Sequence, residues 1–130
     1  MATLLYVEDN LANLSLVETI LLPRPQWRVL PALQGRLGLE LAAQHRPDVI
    51  LLDLHLPDLS GREVLRALRA DARTADIPVV VISADATPRT REALEADGVS
   101  AFLTKPLDVR AFLATVERVL ASRPSATRAR

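Results

Sequence analysis

At 130 residues, with 49% apolar and 25% charged side chains, the chain has the composition of one globular domain able to bury roughly two-thirds of its unfolded surface. Sixteen basic and sixteen acidic residues cancel, so no net field recruits nucleic acid or an anionic membrane, and Tyr6, Trp27, Phe102 and Phe112 are too few for a base-stacking surface. The absence of cysteine excludes disulfides, thiolate catalysis and Cys-ligated zinc; with no apolar run near the ~20 residues of a membrane span and no basic signal-peptide start, a soluble, cytoplasmic protein is expected.

Thr3 to Val7 is a short apolar run that reads as a first buried strand, and it ends in acid, Glu8-Asp9. Asn10 then caps a helix carrying Leu14, Val17, Ile20 and Leu21 at helical spacing, stopped by Pro23 and Pro25. Trp27 to Leu33 reads as a second strand, with Pro31 placing it at a sheet edge. Gly35 to His45 reads as a helix with Leu37 and Leu41 on one face, ended by Pro47; His45 suits a helix end through the dipole.

Asp48 to Asp53 holds four successive branched apolar residues without alternation, the pattern of a strand covered on both faces, and it too ends in a carboxylate. Ser60 caps the next helix, with Glu63 placed as in a capping box and Val64, Leu65 and Leu68 on the inner face. Ile77 to Ile82 is a β-branched strand finishing at Ser83, and Pro88 opens a helix ending near Gly98. Ala101-Phe102-Leu103 is a short last strand leading into Thr104-Lys105-Pro106. The final helix shows Val109, Phe112, Leu113, Val116, Val119 and Leu120, and Ser122 to Arg130 reads as a frayed, arginine-containing tail.

Five strand–helix alternations predict a single doubly wound, flavodoxin-like α/β domain over residues 1–121, with a tail over 122–130. The expected sheet is parallel, five-stranded and flanked by five helices, in the order 2-1-3-4-5. That order sets strands one and three side by side at the switch point and brings Glu8 and Asp9 next to Asp53. Three carboxylates in one crevice repel each other unless a cation sits between them, and an all-oxygen donor set suits a hard ion such as Mg²⁺.

Glu8-Asp9 after strand one, Asp53 after strand three, Ser83 after strand four and Lys105-Pro106 after strand five resemble the receiver domain of two-component response regulators, over essentially the whole chain. The flanking segments Tyr6 to Asn10 and Leu103 to Asp108 resemble receivers attached to hybrid histidine kinases. The resemblance implies that Asp53 takes a phosphoryl group from the phosphohistidine of a histidine kinase or phosphotransfer domain. It implies Asp9 as a direct Mg²⁺ ligand, Glu8 as one acting largely through water, and the backbone carbonyl of His55 as a further ligand beside Asp53. Ser83 would hydrogen-bond a phosphoryl oxygen, Lys105 would pair with another, Pro106 would follow a cis bond, and Phe102 matches the family's switch aromatic. Ser83 and Phe102 would carry the change of surface that a downstream protein reads; a homodimer is left open. These residue types suit phosphoryl transfer, which needs charge neutralisation and in-line positioning more than acid or base work.

Each site residue has a bland competitor: Lys105 as a solvated loop lysine, Ser83 as a helix cap, Phe102 as core, Asp53 as a turn acid. His55, two residues past Asp53, and Asp85, two past Ser83, flank the expected phosphoryl site and are expected to tune the loss of the phosphoryl group; the alternative is a pair of solvated bystanders. Competing functions are an aspartyl-phosphate phosphatase, which would carry a second Asp where His55 stands, and a flavodoxin-like cofactor binder, whose phosphate Glu8-Asp9 would repel. A pseudo-receiver working by contact alone is the third. No separate substrate turnover is expected, and with no output domain following the last helix the chain reads as a single-domain regulator or a receiver taken from a larger protein.

Overall fold

The computed structural model describes residues 2–85 and 87–122. Its elements alternate as read from the sequence: β1 (Ala2–Val7), α1 (Leu11–Leu21), β2 (Trp27–Ala32), α2 (Gly35–His45), β3 (Val49–Leu52), α3 (Gly61–Ala70), β4 (Val79–Ser83), α4 (Pro88–Ala96), β5 (Ala101–Thr104) and α5 (Val109–Ala121). Ser122 is the C-cap of α5, and the rest of the expected tail lies outside the described residues.

All strands pair in parallel, in the order β2-β1-β3-β4-β5. Strand side chains alternate between two apolar layers, as a two-residue period requires. Leu4, Tyr6, Val49, Leu51, Val80 and Ile82 meet Leu14, Val17 and Ile20 of α1 and Phe112, Val116 and Val119 of α5. Leu5, Val7, Ile50, Leu52, Val79 and Val81 meet Ala42 of α2, Val64, Leu65 and Leu68 of α3, and Leu94 of α4. β3 is buried at every residue because it is central and covered on both sides, which is why its sequence shows no alternation.

Local chemistry sets the helix starts. Asn10, Ser60, Thr87 and Asp108 each accept the amide three residues on, and Ser60 and Glu63 form the expected capping box. Helix α2 departs from its sequence reading. Its buried face is Gly35, Gly38 and Ala42, while Leu37 is 38% exposed and Leu41 half-buried. A Cβ at Gly38 would stand 2.7 Å from Val7 Cγ2, so α2 approaches the sheet through small residues and turns Leu37 outward. The helix ends at Arg46, in the left-handed region at φ 44°, because Pro47 disfavours a further helical residue before it.

Candidate functional site

Glu8, Asp53 and Ser83 lie at or just past the carboxyl ends of β1, β3 and β4, and the parallel register carries all three to one edge of the sheet. Val7 pairs with Leu52, so the next residue on each strand, Glu8 and Asp53, is a neighbour across the β1–β3 seam. Ser83 pairs with Thr104, and Lys105 N–H donates to the Ser83 carbonyl at 3.0 Å, which delivers Lys105 to the same edge. This is the switch point of the fold, where open α/β sheets place their ligands.

Glu8 is 1% and Asp53 4% exposed, whereas Asp9 faces solvent. One carboxylate oxygen from each of the three lies within 4.8 Å of the others. Lys105 Nζ is 2.8 Å from Glu8 Oε1 and 3.5 Å from Asp53 Oδ1. The lysine is therefore shared, and nearer to Glu8. The peptide bond between Lys105 and Pro106 is cis.

The two buried acids are pushed in opposite directions. Burial raises the Glu8 carboxyl, but the Lys105 hydrogen bond and charge, the Asn10 amide and the Asn13 side chain together bring it below the usual carboxylate range. Asp53 is held above that range by burial and by the charge of Glu8; Lys105 and the His55 backbone amide offset this only in part. Three carboxylates against one ammonium leave the crevice short of positive charge. All the donors are oxygen, so a hard divalent cation fits the site.

Two groups that the sequence reading passed over support Glu8. The Tyr6 hydroxyl donates to Glu8 Oε1 at 3.2 Å and Asn13 Nδ2 donates to the same atom at 3.1 Å, while Asn10 N–H donates to Oε2 at 3.2 Å. Burial and the neighbouring Glu8 push the Tyr6 phenol up, so it stays a donor. Tyr6 had a legible signal, since residues two apart on a strand share a face.

The remaining expected residues sit around this centre. Ser83 is fully buried and its hydroxyl accepts the Asp85 amide at 3.0 Å. Asp85 lies on the loop into α4, where its carboxylate accepts Thr87 N–H at 3.3 Å and the Thr90 hydroxyl at 3.2 Å. The Thr87 amide first, then the hydroxyls and His55, hold Asp85 below its usual range. His55 is exposed, bridged through its backbone to Ser60. Phe102 is half-buried, with the Arg91 guanidinium 5.0 Å above its ring. Asp85 thus has a structural occupation that the sequence reading did not anticipate, and His55 projects at the rim.

The model of the response regulator receiver domain family matches residues 4–117. The chain belongs to that family. Among curated relatives, the polar-differentiation response regulator DivK of Brucella anthropi is 34% identical over 118 residues, spanning 91% of this chain and 95% of that protein, and DivK of Brucella ovis is 33% identical over the same span. Among solved structures, Vibrio cholerae chemotaxis protein CheY4 superposes on this receiver with a TM-score of 0.84 at 28% identity, covering 92% of this chain and 98% of that of CheY4. The receiver domain of sensor histidine kinase PA1611 from Pseudomonas aeruginosa, solved with a magnesium ion in its active-site cleft, has a TM-score of 0.84 at 29% identity, covering 93% and 98%. Among the described residues of this receiver, no helix is long and apolar enough to cross a membrane.

Proposed function

We propose that Asp53 is the phosphoacceptor of a cytoplasmic two-component signalling module, receiving its phosphoryl group from a phosphohistidine of a histidine kinase or phosphotransfer domain. The observation that carries this reading is the Lys105 ammonium between Glu8 and Asp53, 2.8 and 3.5 Å away, at the carboxyl edge of the sheet. An Asp53 oxygen attacks phosphorus, the P–N bond breaks, and the imidazole leaves with its electron pair; the product is an acyl phosphate. Lys105 moves from Glu8 toward a phosphoryl oxygen, and Ser83 donates its hydroxyl to another while still accepting the Asp85 amide. In the return step water attacks phosphorus, the P–O bond to Asp53 breaks, and inorganic phosphate leaves. The chain's own residues catalyse both steps, with no separate substrate turned over.

Glu8, Asp9 and Asp53, with the His55 backbone carbonyl, would hold Mg²⁺. Bound there, the ion would supply positive charge that offsets the repulsion between the anionic acceptor and the anionic donor. His55 and Asp85 stand on the two loops that border the phosphoryl position and tune the rate of hydrolysis. Ser83 and Phe102 pass the change to the α4–β5 surface, where a downstream protein reads it. The test is incubation with phosphoramidate and Mg²⁺. The wild type is expected to gain one phosphoryl mass, removed by hydroxylamine; an Asp53→Asn variant modified to the same stoichiometry would overturn the assignment.

A further inference from the structure

Helix α2 lacks a cap of its own. Gln34 stands at its N-cap without a side-chain hydrogen bond, although the other four helices are capped locally. The missing acceptor comes from Asp58, 23 residues further on, in the loop that follows the phosphoacceptor. Asp58 Oδ1 accepts Gly35 N–H at 2.8 Å and Oδ2 accepts Arg36 N–H at 2.9 Å. Both oxygens are used, on consecutive amides of the first turn, where the helix dipole also favours an anion. The side chain is 19% exposed.

The surroundings make this contact tight. A Cβ at Gly35 would lie 2.9 Å from Val64 Cγ2, 3.1 Å from Leu59 Cβ and 3.3 Å from Asp58 Oδ1, so the start of α2 is pressed onto the loop and onto α3. One turn along, Gly38 abuts Val7, the residue before Glu8. The loop is closed at its base by Gly61 N–H on the Leu54 carbonyl at 2.9 Å and by the His55–Ser60 bridge. A Cβ at Gly61 would lie 2.6 Å from Leu54 Cα and 2.7 Å from the Asp53 carbonyl. The loop has little room, and Asp58 anchors its far end.

We infer that Asp58 is a positioning residue: by clamping the 54–60 loop to the start of α2, it holds the His55 backbone in the place from which it serves the Asp53 site. Asp58 touches no reacting group. It acts through His55, whose amide faces the Asp53 carboxylate and whose carbonyl is the assigned metal ligand. This inference rests on the function proposed above, and a backbone with one fewer anchor samples more positions, which weakens any ligand it offers.

Four variants test it: Asp58→Ala, Asp58→Asn, Gly35→Ala, and Ala42→Gly as a control that weakens the same helix away from the loop. Calorimetric titration with Mg²⁺ alone should give affinity about tenfold weaker for Asp58→Ala, the scale seen when a ligand's support is removed. Asp58→Asn keeps one acceptor and should lie between that and wild type; Gly35→Ala should weaken binding as well. Ala42→Gly should lower the unfolding midpoint by a comparable ~5 °C with unchanged Mg²⁺ affinity. Amide exchange gives a second readout that needs no metal: His55 should lose protection in Asp58→Ala and keep it in Ala42→Gly. If Asp58→Ala loses stability but retains wild-type affinity and His55 protection, Asp58 is a helix cap and nothing more. A wild type that neither binds Mg²⁺ nor takes a phosphoryl group refutes the proposed function instead, and the His55 exchange then still decides the inference alone.

Discussion

Removing Lys105 gives the sharpest energetic consequence of this site. In Lys105→Ala, Glu8 keeps its hydrogen bonds from Tyr6, Asn13 and Asn10, but Glu8 and Asp53 both lose the one cation paired with them among the described residues. Breaking a fully buried ion pair costs about 3–5 kcal/mol. Here the Lys105 side chain is 23% exposed and three donors to Glu8 remain, so water and those donors recover part of that, leaving a loss of about 2 kcal/mol in the metal-free protein. The same ammonium competes with a divalent cation for Glu8 and Asp53, so the variant should bind Mg²⁺ more tightly. A fivefold gain in affinity adds about 1 kcal/mol of stability under saturating metal. Urea unfolding of wild type and Lys105→Ala at pH 7, with and without Mg²⁺, measures both terms. A shared lysine requires a deficit that Mg²⁺ shrinks. An equal deficit with and without Mg²⁺, or none in either, would refute the shared-lysine reading of the site.

Because Asp53 is raised, the folded protein binds its proton more tightly than the unfolded chain does, and ionised Asp53 costs stability that grows as pH climbs from the ordinary carboxylate range through the folded value. Metal-free Asp53→Asn should therefore be at least as stable as wild type at pH 7, with the advantage vanishing in acid; equilibrium unfolding from pH 3 to 8 checks this. The exposed His55 imidazole should act by crowding the attacking water, so His55→Ala should speed dephosphorylation less than about tenfold with an unchanged pH profile, whereas a general base would cost the roughly 10²-fold typical of that role. Phosphate release followed between pH 5.5 and 8 separates the two, and superimposable rates would make the ring a bystander. Gly61→Ala should destabilise by about 1–3 kcal/mol, since its Cβ meets backbone of Asp53 and Leu54 that cannot rotate away; a neutral result in thermal unfolding would show that the loop yields.

The sheet order and the acid site were legible because each rests on strand ends. An apolar run closed by Glu8 or Asp53 announces a buried strand with a carboxylate at its tip, and the alternation of elements dictates which tips meet. The outer helix was harder. In α2 the leucines drew attention, yet contact with Val7 demanded the smaller Gly38, so volume overrode hydrophobic spacing. Asp58 drew no reading from the sequence, because nothing local in the chain reports a bond to amides 22 and 23 residues away. The bonds that Asp85 accepts from Thr87 and Thr90 at the start of α4 were not legible either, and they stand beside the rate-tuning role proposed for it. Long-range partners of loop carboxylates are set by tertiary approach, which local propensity does not encode.

Borohydride trapping of the phosphorylated protein tests the central assignment most directly. Hydride reduces an acyl phosphate at an aspartate to homoserine, marking the residue that held the phosphoryl group. After phosphoramidate and Mg²⁺, peptide mapping should find homoserine at position 53 and aspartate unchanged at positions 9 and 85. Homoserine at Asp9 or Asp85, or a phosphoryl group that survives borohydride and hydroxylamine, would contradict Asp53 as the acceptor.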